Sequence, residues 1–215
     1  MVKKTGADRG VAEVKVTSGP TATTVMASIP MNPQPSLRDK GMYFLSGPFN
    51  SENAAKIVTW ILEANFAPKN DFDNLTLIIN SPGGEVNSAF AIIDAMEGSA
   101  IPVHTVGLGL IGSCGFLTFI AGAKGHRVLT PNTSILSHQC SWGDRGKAHE
   151  LFATVREYEL TQIRMLNHYI KHTGLTKAQV EEKLLPPHDV WLSAQEAKDL
   201  GVCDQVKIMG QGNAK

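Results

Sequence analysis

The sequence predicts a mixed α/β domain built on a mostly parallel sheet. Short apolar runs, each long enough for a strand, alternate from residue 42 onward with longer segments of helical periodicity. This alternation is typical of parallel strands joined by crossover helices. Two glycine-rich stretches, residues 80–84 and 109–115, each follow such a strand and open such a helix. Because ligands meet the carboxyl ends of parallel strands, we expect both stretches at one edge of the sheet.

The individual elements are indicated by the turn residues and the spacing of apolar residues. Residues 42–47 predict the first strand, which Gly47-Pro48 ends, and Ser51 is the expected N-cap of the helix after it. The later elements are a strand at 75–80, a helix around 89–96, a strand at 103–110, a helix at 114–123, short strands in "HRVLTP" and "SILSHQ", a long amphipathic helix at 147–172, and short helices in "TKAQVEEKLL" and "SAQEAKDLG". Ser193 is expected to cap the last helix and Gly201 to end it.

Composition limits the class of protein. The 215 residues are 42% hydrophobic and 19% charged, which is enough for a core that needs neither disulfide nor metal. Twenty basic and twenty acidic side chains balance, which argues against nucleic acid or an anionic membrane as a partner. No apolar run approaches a membrane span, and the three cysteines have neither disulfide nor zinc spacing. We therefore expect a cytoplasmic protein that binds no metal.

Three regions are expected along the chain. Residues 1–40 are rich in Ser, Thr, Pro and Gly, and they predict a flexible arm with a possible short strand at 11–16. Residues 41–208 hold the regular pattern and form the predicted domain. Residues 209–215 form a predicted disordered tail.

The stretch "GLIGSCGF" (109–116) offers two candidate nucleophiles. Ser113 follows a predicted strand and opens a helix, so its hydroxyl would lie at the sheet edge near the positive end of the helix dipole. An ordinary helix N-cap explains the same serine. Cys114 is the second candidate, because a helix N-terminus lowers the pKa of a thiol. A small core residue explains Cys114 equally well, so this stretch alone does not separate the two.

Other segments offer partners for such a nucleophile. Gly83 and Gly84 expose backbone N–H groups that suit an oxyanion hole, although a tight turn uses glycine in the same way. His138 ends a predicted strand, which is also a common place for a structural histidine. Asp189 lies between prolines and an apolar stretch and could orient a base; it could also be a loop aspartate, and His188 is a rival. Four further histidines are expected to be solvated: His126, His149, His168 and His172.

Taken together, these segments resemble the proteolytic subunit of the Clp protease family from about residue 41 to residue 208. The matching segments are "INSPGGEVNSAFAIIDAM" (79–96), "GLIGSCGFLTFIAGAKGHRVLTPN" (109–132), "SHQ" (137–139), "GDRGKAHE" (143–150), "HTG" (172–174) and "DVWLSAQEAKDLGVCD" (189–204). Several motifs occur in the family's order with compatible spacing. The resemblance implies a crotonase-like fold with the helix at 147–172 as a handle.

The resemblance also implies a Ser-His-Asp peptidase. Ser113 would be the nucleophile, His138 the general base and later acid, and Asp189 the residue that orients the imidazole. The backbone amides of Gly84 and Cys114 would form the oxyanion hole. Substrate would lie beside four further residues: Gly83, Phe116, Gly143 and Gly146.

The resemblance further implies an assembly. Members form heptameric rings, in pairs, around a closed chamber, and an AAA+ ATPase feeds unfolded polypeptides into it. This chain would bind no cofactor itself, since the ATP is used by the partner. Three alternatives stay open on the sequence: a non-catalytic ring subunit, a phage-type capsid-maturation peptidase, and a crotonase-like acyl-CoA enzyme.

The chain departs from the family pattern at several positions. Cys114 and Phe116 stand where the family usually has Met and a small residue, and Cys140 stands where a proline usually occurs. The stretch "LLPPH" before Asp189 is two residues longer than usual and lacks an acidic and basic run. An Asp-Arg pair there links ring assembly to active-site alignment in the family, and Pro187 and His188 cannot reproduce it.

Overall fold

The computed structural model describes residues 36–67 and 72–208. The predicted arm up to residue 35, the possible strand at 11–16 and the tail at 209–215 lie outside the described residues. A turn of 3-10 helix at Arg38–Lys40 leads into the first strand. The remaining elements are β1 (Met42–Ser46), α1 (Ser51–Phe66), β2 (Leu75–Ser81), α2 (Val86–Glu97), β3 (Val103–Gly112), α3 (Cys114–Ile120), β4 (Arg127–Leu129), β5 (Ser134–Ser137), α4 (Ala148–Thr173), α5 (Lys177–Lys183), β6 (Val190–Ser193), α6 (Ala194–Asp199) and β7 (Gln205–Val206).

The sheet confirms the predicted fold class. Its strands run in the order β1-β2-β3-β4-β7, and every pair along this path is parallel. The long strand β3 pairs with β4 over its first half and with β5 over its second half. β5 also pairs with β6, and this pair is antiparallel. β5 and β6 therefore form a branch of the sheet at the end of β3 where the glycine-rich stretch begins.

The larger core packs between the sheet and the helices. Residues of β2 are almost continuously buried, as expected for a central parallel strand. Helix α3 is buried along its whole length, and α4 contacts it through His168 and Tyr169. Because α3 has no exposed face, its first residue is fixed by packing on all sides. No helix in the described ranges combines the length and the apolar character needed to span a membrane.

Some sequence predictions of local structure were wrong in detail. Asn50, not Ser51, caps α1: its side chain accepts a 2.8 Å hydrogen bond from the Asn53 amide, and Ser51 is the first helical residue. His168 is 6% exposed and so is not solvated, because it lies on the face of α4 that packs on α3. The capping of α6 by Ser193 is confirmed, with a reciprocal bond from its amide to Glu196.

A bulge in the β2–β3 pair shapes the end of β3. The register shifts between Ile79 and Ser81, and Gly109 adopts a positive φ of 62° at this point. The Asn80 side chain accepts a hydrogen bond from the Leu110 amide at 3.3 Å, which satisfies a group that the ladder leaves unpaired. Bulges bend a strand and change the direction of the residues beyond them. Here the bend directs the end of β3 toward β5.

A buried ion pair joins the first residue of β4 to the segment before the last strand. The Arg127 guanidinium donates to both carboxylate oxygens of Asp204, at 2.7 and 3.0 Å, and also to the carbonyls of His172 and Gly201. The Arg127 side chain is 4% exposed and that of Asp204 16%. Although burial favours the neutral acid, the hydrogen bonds from Arg127 lower the pKa of Asp204. The pair therefore ties β4, α4 and the segment before β7 together.

We expect Arg127→Met to lower the free energy of unfolding by about 3 kcal/mol, because it leaves the Asp204 carboxylate buried without its partner. Chemical denaturation at pH 7 measures this loss. Because the pKa of Asp204 is lowered on folding, the pair stabilises above the unfolded pKa of aspartate and this contribution disappears as the pH falls through the folded pKa. Lys56→Met, which breaks the exposed pair with Glu52, is the matched control and should cost nothing measurable. Equal losses for the two variants would contradict a structural role of Arg127.

Candidate active site

Ser113 occupies a strained turn between β3 and α3. Its backbone has φ 52° and ψ −117°, and it is the only non-glycine residue with a positive φ in the part of the chain that the structure describes. Its amide donates a 2.8 Å hydrogen bond to the Leu136 carbonyl on β5, and its own carbonyl accepts from Phe116 and Leu117 in α3. Backbone strain of this kind costs of order 1–3 kcal/mol and persists only where the surroundings enforce it. Ser113 is also half-buried, so its side chain retains access to solvent.

The two glycines after β2 lie directly against this turn. A Cβ at Gly83 would stand 2.6 Å from Ser113 Cβ, and one at Gly112 would stand 2.8 Å from the Pro82 carbonyl oxygen. At Gly84 a Cβ would be only 2.1 Å from the Phe49 carbonyl oxygen. Contacts this close exclude any side chain at these places. The close approach of the two backbones is therefore the reason that the sequence is glycine-rich in both stretches.

Gly84 lies close to the start of α3. Phe49 forms a parallel bridge with Gly84 by bonding to the residues on either side of it, Gly83 and Glu85. In such a bridge the polar groups of Gly84 itself point away from Phe49. The Gly84 carbonyl accepts from the Cys114 thiol at 3.2 Å, so this edge of Gly84 faces the start of α3. As the first residue of α3, Cys114 has no intrahelical acceptor for its N–H.

Strand pairing brings the other two candidates to the same edge. Gly112 pairs with Leu136, so Ser113 lies beside the end of β5, and His138 comes directly after Ser137. The antiparallel pair of β5 and β6 matches Ser137 with Val190. His138 and Asp189 are the next residues of the two chain segments, directly beyond this last pair. The branch of the sheet thus gathers three residues that are up to 76 positions apart in the sequence.

The three side chains belong to segments that meet at one edge of the sheet, but they are not hydrogen-bonded to one another. Among the described residues, the Ser113 hydroxyl, the His138 ring and the Asp189 carboxylate make no hydrogen bond to one another. His138 is half-buried, whereas Asp189 and its neighbour His188 are exposed. Catalytic hydrogen bonds are often long in free enzymes and tighten only in the substrate-bound or transition-state complex. The arrangement is therefore that of an open site whose members share one edge.

The environment of Cys114 disfavours a thiolate. The side chain is completely buried, and this burial raises the pKa of the thiol to about 11. At pH 8 only about one thiol in a thousand would be ionised, and the thiolate is the nucleophilic form. The neighbouring hydroxyl of Ser113, by contrast, is half-exposed at the strained turn. Of the two alternatives in this stretch, the structure favours the serine.

A buried polar network beside His138 was not anticipated from the sequence. The Ser137 hydroxyl donates to the Leu184 carbonyl at 2.6 Å and lies 3.0 Å from the Tyr169 hydroxyl. The Gln139 side chain donates to the Leu185 carbonyl at 2.9 Å. The two residues that flank His138 are therefore anchored to the segment that leads toward Asp189. One feature of the sequence could have predicted this network: Tyr169 lies on the apolar face of a long helix, and a buried hydroxyl requires a hydrogen-bond partner.

A cavity of about 370 Å³ opens next to Gly84 and the segment after His138. It is mostly apolar, and the rings of Trp142 and Tyr158 stack in its wall at 5.0 Å. Two carboxylates, Glu85 and Glu157, also line it. A side chain of a bound peptide could enter this cavity from the glycine-rich edge.

The remaining predicted substrate-contacting residues differ in accessibility. Gly143 and Gly146 are exposed in the segment between Trp142 and α4, and a Cβ at Gly143 would meet open space. Phe116 is fully buried and packs on Tyr169 with ring centroids 5.8 Å apart. Phe116 therefore offers no surface to a ligand in this structure, and any effect it has on specificity must pass through its neighbours.

Comparison with known proteins agrees with this geometry. A family model described as Clp protease matches residues 31–209. The chain is also 33% identical over 176 residues to the ATP-dependent Clp protease proteolytic subunit 2 of Corynebacterium glutamicum. That alignment covers 82% of this chain and 86% of the relative.

Proposed function

Because the chain belongs to the Clp protease family, we propose that it is a serine-type endopeptidase that cuts unfolded polypeptides into short peptides. The observation that carries this proposal is the backbone of Ser113, held at φ 52° between β3 and α3. A serine at a sharp, strained strand-to-helix turn presents its hydroxyl at the sheet edge, as the nucleophile elbow of other serine hydrolases does. The strain has no structural purpose that a glycine would not serve better.

The roles of the three residues follow from their chemistry. Ser113 Oγ attacks the scissile carbonyl, and His138 takes the hydroxyl proton and later gives it to the leaving amine. Asp189 accepts a hydrogen bond from the other ring nitrogen and stabilises the imidazolium. The antiparallel register of β5 and β6 supports the last assignment, because its last pair, Ser137 and Val190, directly adjoins His138 and Asp189 in the sequence.

The developing negative charge needs donors that are already in place. The amides of Gly84 and Cys114 fill this role, since Cys114 lacks an intrahelical acceptor and the polar edge of Gly84 faces it. Such preorganised donors commonly supply the largest electrostatic contribution to acyl transfer. Cys114 takes part through its backbone, and its buried thiol stays protonated.

Substrate binding is assigned to the glycine edge and the adjoining cavity. Gly83 lets a peptide backbone approach Ser113, and the exposed segment with Gly143 and Gly146 offers free backbone groups for pairing with an extended chain. The cavity takes an apolar side chain, and the carboxylates of Glu85 and Glu157 add a preference for a basic tip.

The active form is proposed to be a homo-oligomer of one heptameric ring or two stacked rings. Helix α4 supports this, because four large apolar side chains on it are exposed: Phe152, Val155, Leu160 and Ile163. A contact there would also order the neighbouring segment that carries Gly143. An AAA+ unfoldase would deliver the unfolded polypeptides and use the ATP, so the chain needs no cofactor of its own for peptide hydrolysis. Native mass spectrometry tests the assembly by counting copies of the 23.2 kDa chain.

Covalent labelling with a fluorophosphonate tests the proposed nucleophile. We expect mass spectrometry of the digested adduct to place the label on Ser113. The matched variant Cys114→Ala keeps the backbone amide and should be labelled and hydrolyse peptides within about tenfold of the parent rate, because the thiol is buried and un-ionised. Loss of labelling in Cys114→Ala, with Ser113 unmodified, would assign the chemistry to the cysteine instead.

One alternative rests on a specific observation. The side chains of Ser113, His138 and Asp189 are not hydrogen-bonded to one another, and Pro187 and His188 replace the charged pair that the family uses to couple assembly to alignment. Both features, the unbonded side chains and the missing charged pair, are expected of a non-catalytic ring subunit. An assembled, correctly folded protein that takes up no fluorophosphonate would favour it over the peptidase.

A further inference from the structure

A second cluster of chemistry-bearing side chains lies away from the proposed active site. Glu97 is the last residue of α2, and His168 and His172 lie one turn apart near the end of α4. One ring nitrogen of each histidine and a carboxylate oxygen of Glu97 lie within 4.8 Å of one another. The sequence predicted no metal site, since the residues that form this cluster come from two helices that are far apart along the chain.

We propose that Glu97, His168 and His172 form a binding site for a divalent transition metal, with Zn²⁺ as the best match. Histidines at positions i and i+4 project from the same face of a helix and can share one ion. Two imidazoles and a carboxylate are ligands that zinc accepts, and they leave a fourth position for water. The ion would join the end of α2 to the end of α4.

His168 is prepared for this role by its hydrogen bond. Its Nε2 lies 2.8 Å from the Leu117 carbonyl oxygen, which can only accept, so Nε2 carries the proton and Nδ1 keeps a lone pair. Metal-bound histidines commonly donate their other N–H to a carbonyl in this way.

Glu97 and His172 provide the more accessible side. His172 Nε2 lies 2.7 Å from one carboxylate oxygen of Glu97, and the side chains of His172 and Glu97 are 14% and 31% exposed. An ion can therefore enter from solvent over Glu97. Zinc–ligand distances of about 2.0–2.1 Å place neighbouring ligand atoms about 3.3 Å apart, so His172 Nε2 and the Glu97 oxygen must move apart from their 2.7 Å hydrogen bond. Rotation of the half-exposed Glu97 carboxylate is the movement required.

Lys171 competes with the metal for Glu97. Its Nζ lies 2.6 Å from the second carboxylate oxygen, and its side chain is 60% exposed. A cation bound by Glu97 would repel this ammonium group, which can swing into solvent at little cost. Removal of Lys171 distinguishes a metal site from a purely structural ion-pair network. At a metal site it should strengthen metal binding, whereas in an ion-pair network it only removes a stabilising contact.

Isothermal titration of the full chain with ZnCl₂ tests the proposal. We expect one ion per chain, weakened at least about tenfold by His172→Gln or Glu97→Gln. Lys171→Met should bind more tightly than the parent, and zinc should raise the thermal midpoint of the parent but not that of His172→Gln. Circular dichroism of each metal-free variant verifies its fold.

Two controls exclude three of the other histidines. His149→Gln changes an exposed histidine elsewhere on α4 and should leave binding unchanged. The double variant His104→Gln, His126→Gln removes a stacked histidine pair, with centroids 3.9 Å apart, and should also bind one ion. Parent-like binding by a folded His172→Gln, or weaker binding by Lys171→Met, would overturn the proposal.

Discussion

Replacement of Ser113 by alanine should reduce peptide hydrolysis by roughly 10⁴- to 10⁶-fold, the range found when a serine nucleophile is removed from such a triad. The reason is that alanine keeps the backbone of the turn and removes only the attacking oxygen. The loss should appear in kcat, measured with a fluorogenic peptide on the assembled protein. Residual hydrolysis above water would come from the oxyanion donors and substrate binding, which this change leaves in place.

Stability separates this chemical effect from misfolding. Ser113→Ala retains the strained φ of 52°, so its free energy of unfolding should stay close to that of the parent. Ser113→Gly relieves the strain and should be more stable by about 1 kcal/mol, yet equally inactive. A parent-like kcat in either variant would remove Ser113 from the mechanism. A catalytically dead Ser113→Gly that is more stable than the parent would indicate strain held in place for function.

The sequence predicted the parallel part of the fold well, because there the local signal and the tertiary role coincide. The run 75–80 is almost continuously apolar, and β2 is buried on both sides. The branch formed by β5 and β6 was harder. Four residues at 190–193 are too few to show a period, and their partner is set by tertiary contact with β5. That branch ends next to His138 and Asp189, so the geometry of the candidate site required the structure.

The same dependence on tertiary contacts explains why the prediction for His168 was wrong. It was expected in solvent because its surroundings in the sequence are polar and helical, but Met165 and Tyr169 flank it on one face of α4 at spacings of three and one. The helical pattern alone could have placed it inside. What the pattern could not supply is the neighbour across the helix interface: Leu117 on α3 and Glu97 on α2 come together with α4 only in the fold. Clusters from distant elements are therefore the part of function least accessible to sequence.

Gly84→Ala should lower kcat at least about 100-fold, the effect of losing one oxyanion donor. A Cβ at this position would lie 2.1 Å from the Phe49 carbonyl oxygen, and the φ of 147° is unfavourable for alanine. The bridge between Phe49 and Gly84 must then open, which moves the Gly84 amide away from Ser113. Since the donor acts on the charge that forms during reaction, kcat should fall while KM changes little.

Gly125→Ala is the matched control for this change. Gly125 has a positive φ of 89°, but a Cβ there would meet no atom within 4 Å, and the residue lies in the turn before β4. Both variants should lose thermal stability through backbone strain, and only Gly84→Ala should lose kcat when both are assayed well below their thermal midpoints. If the two variants retained equal kcat, the oxyanion donor would have to be another group, because the bridge that orients Gly84 could not survive the added Cβ.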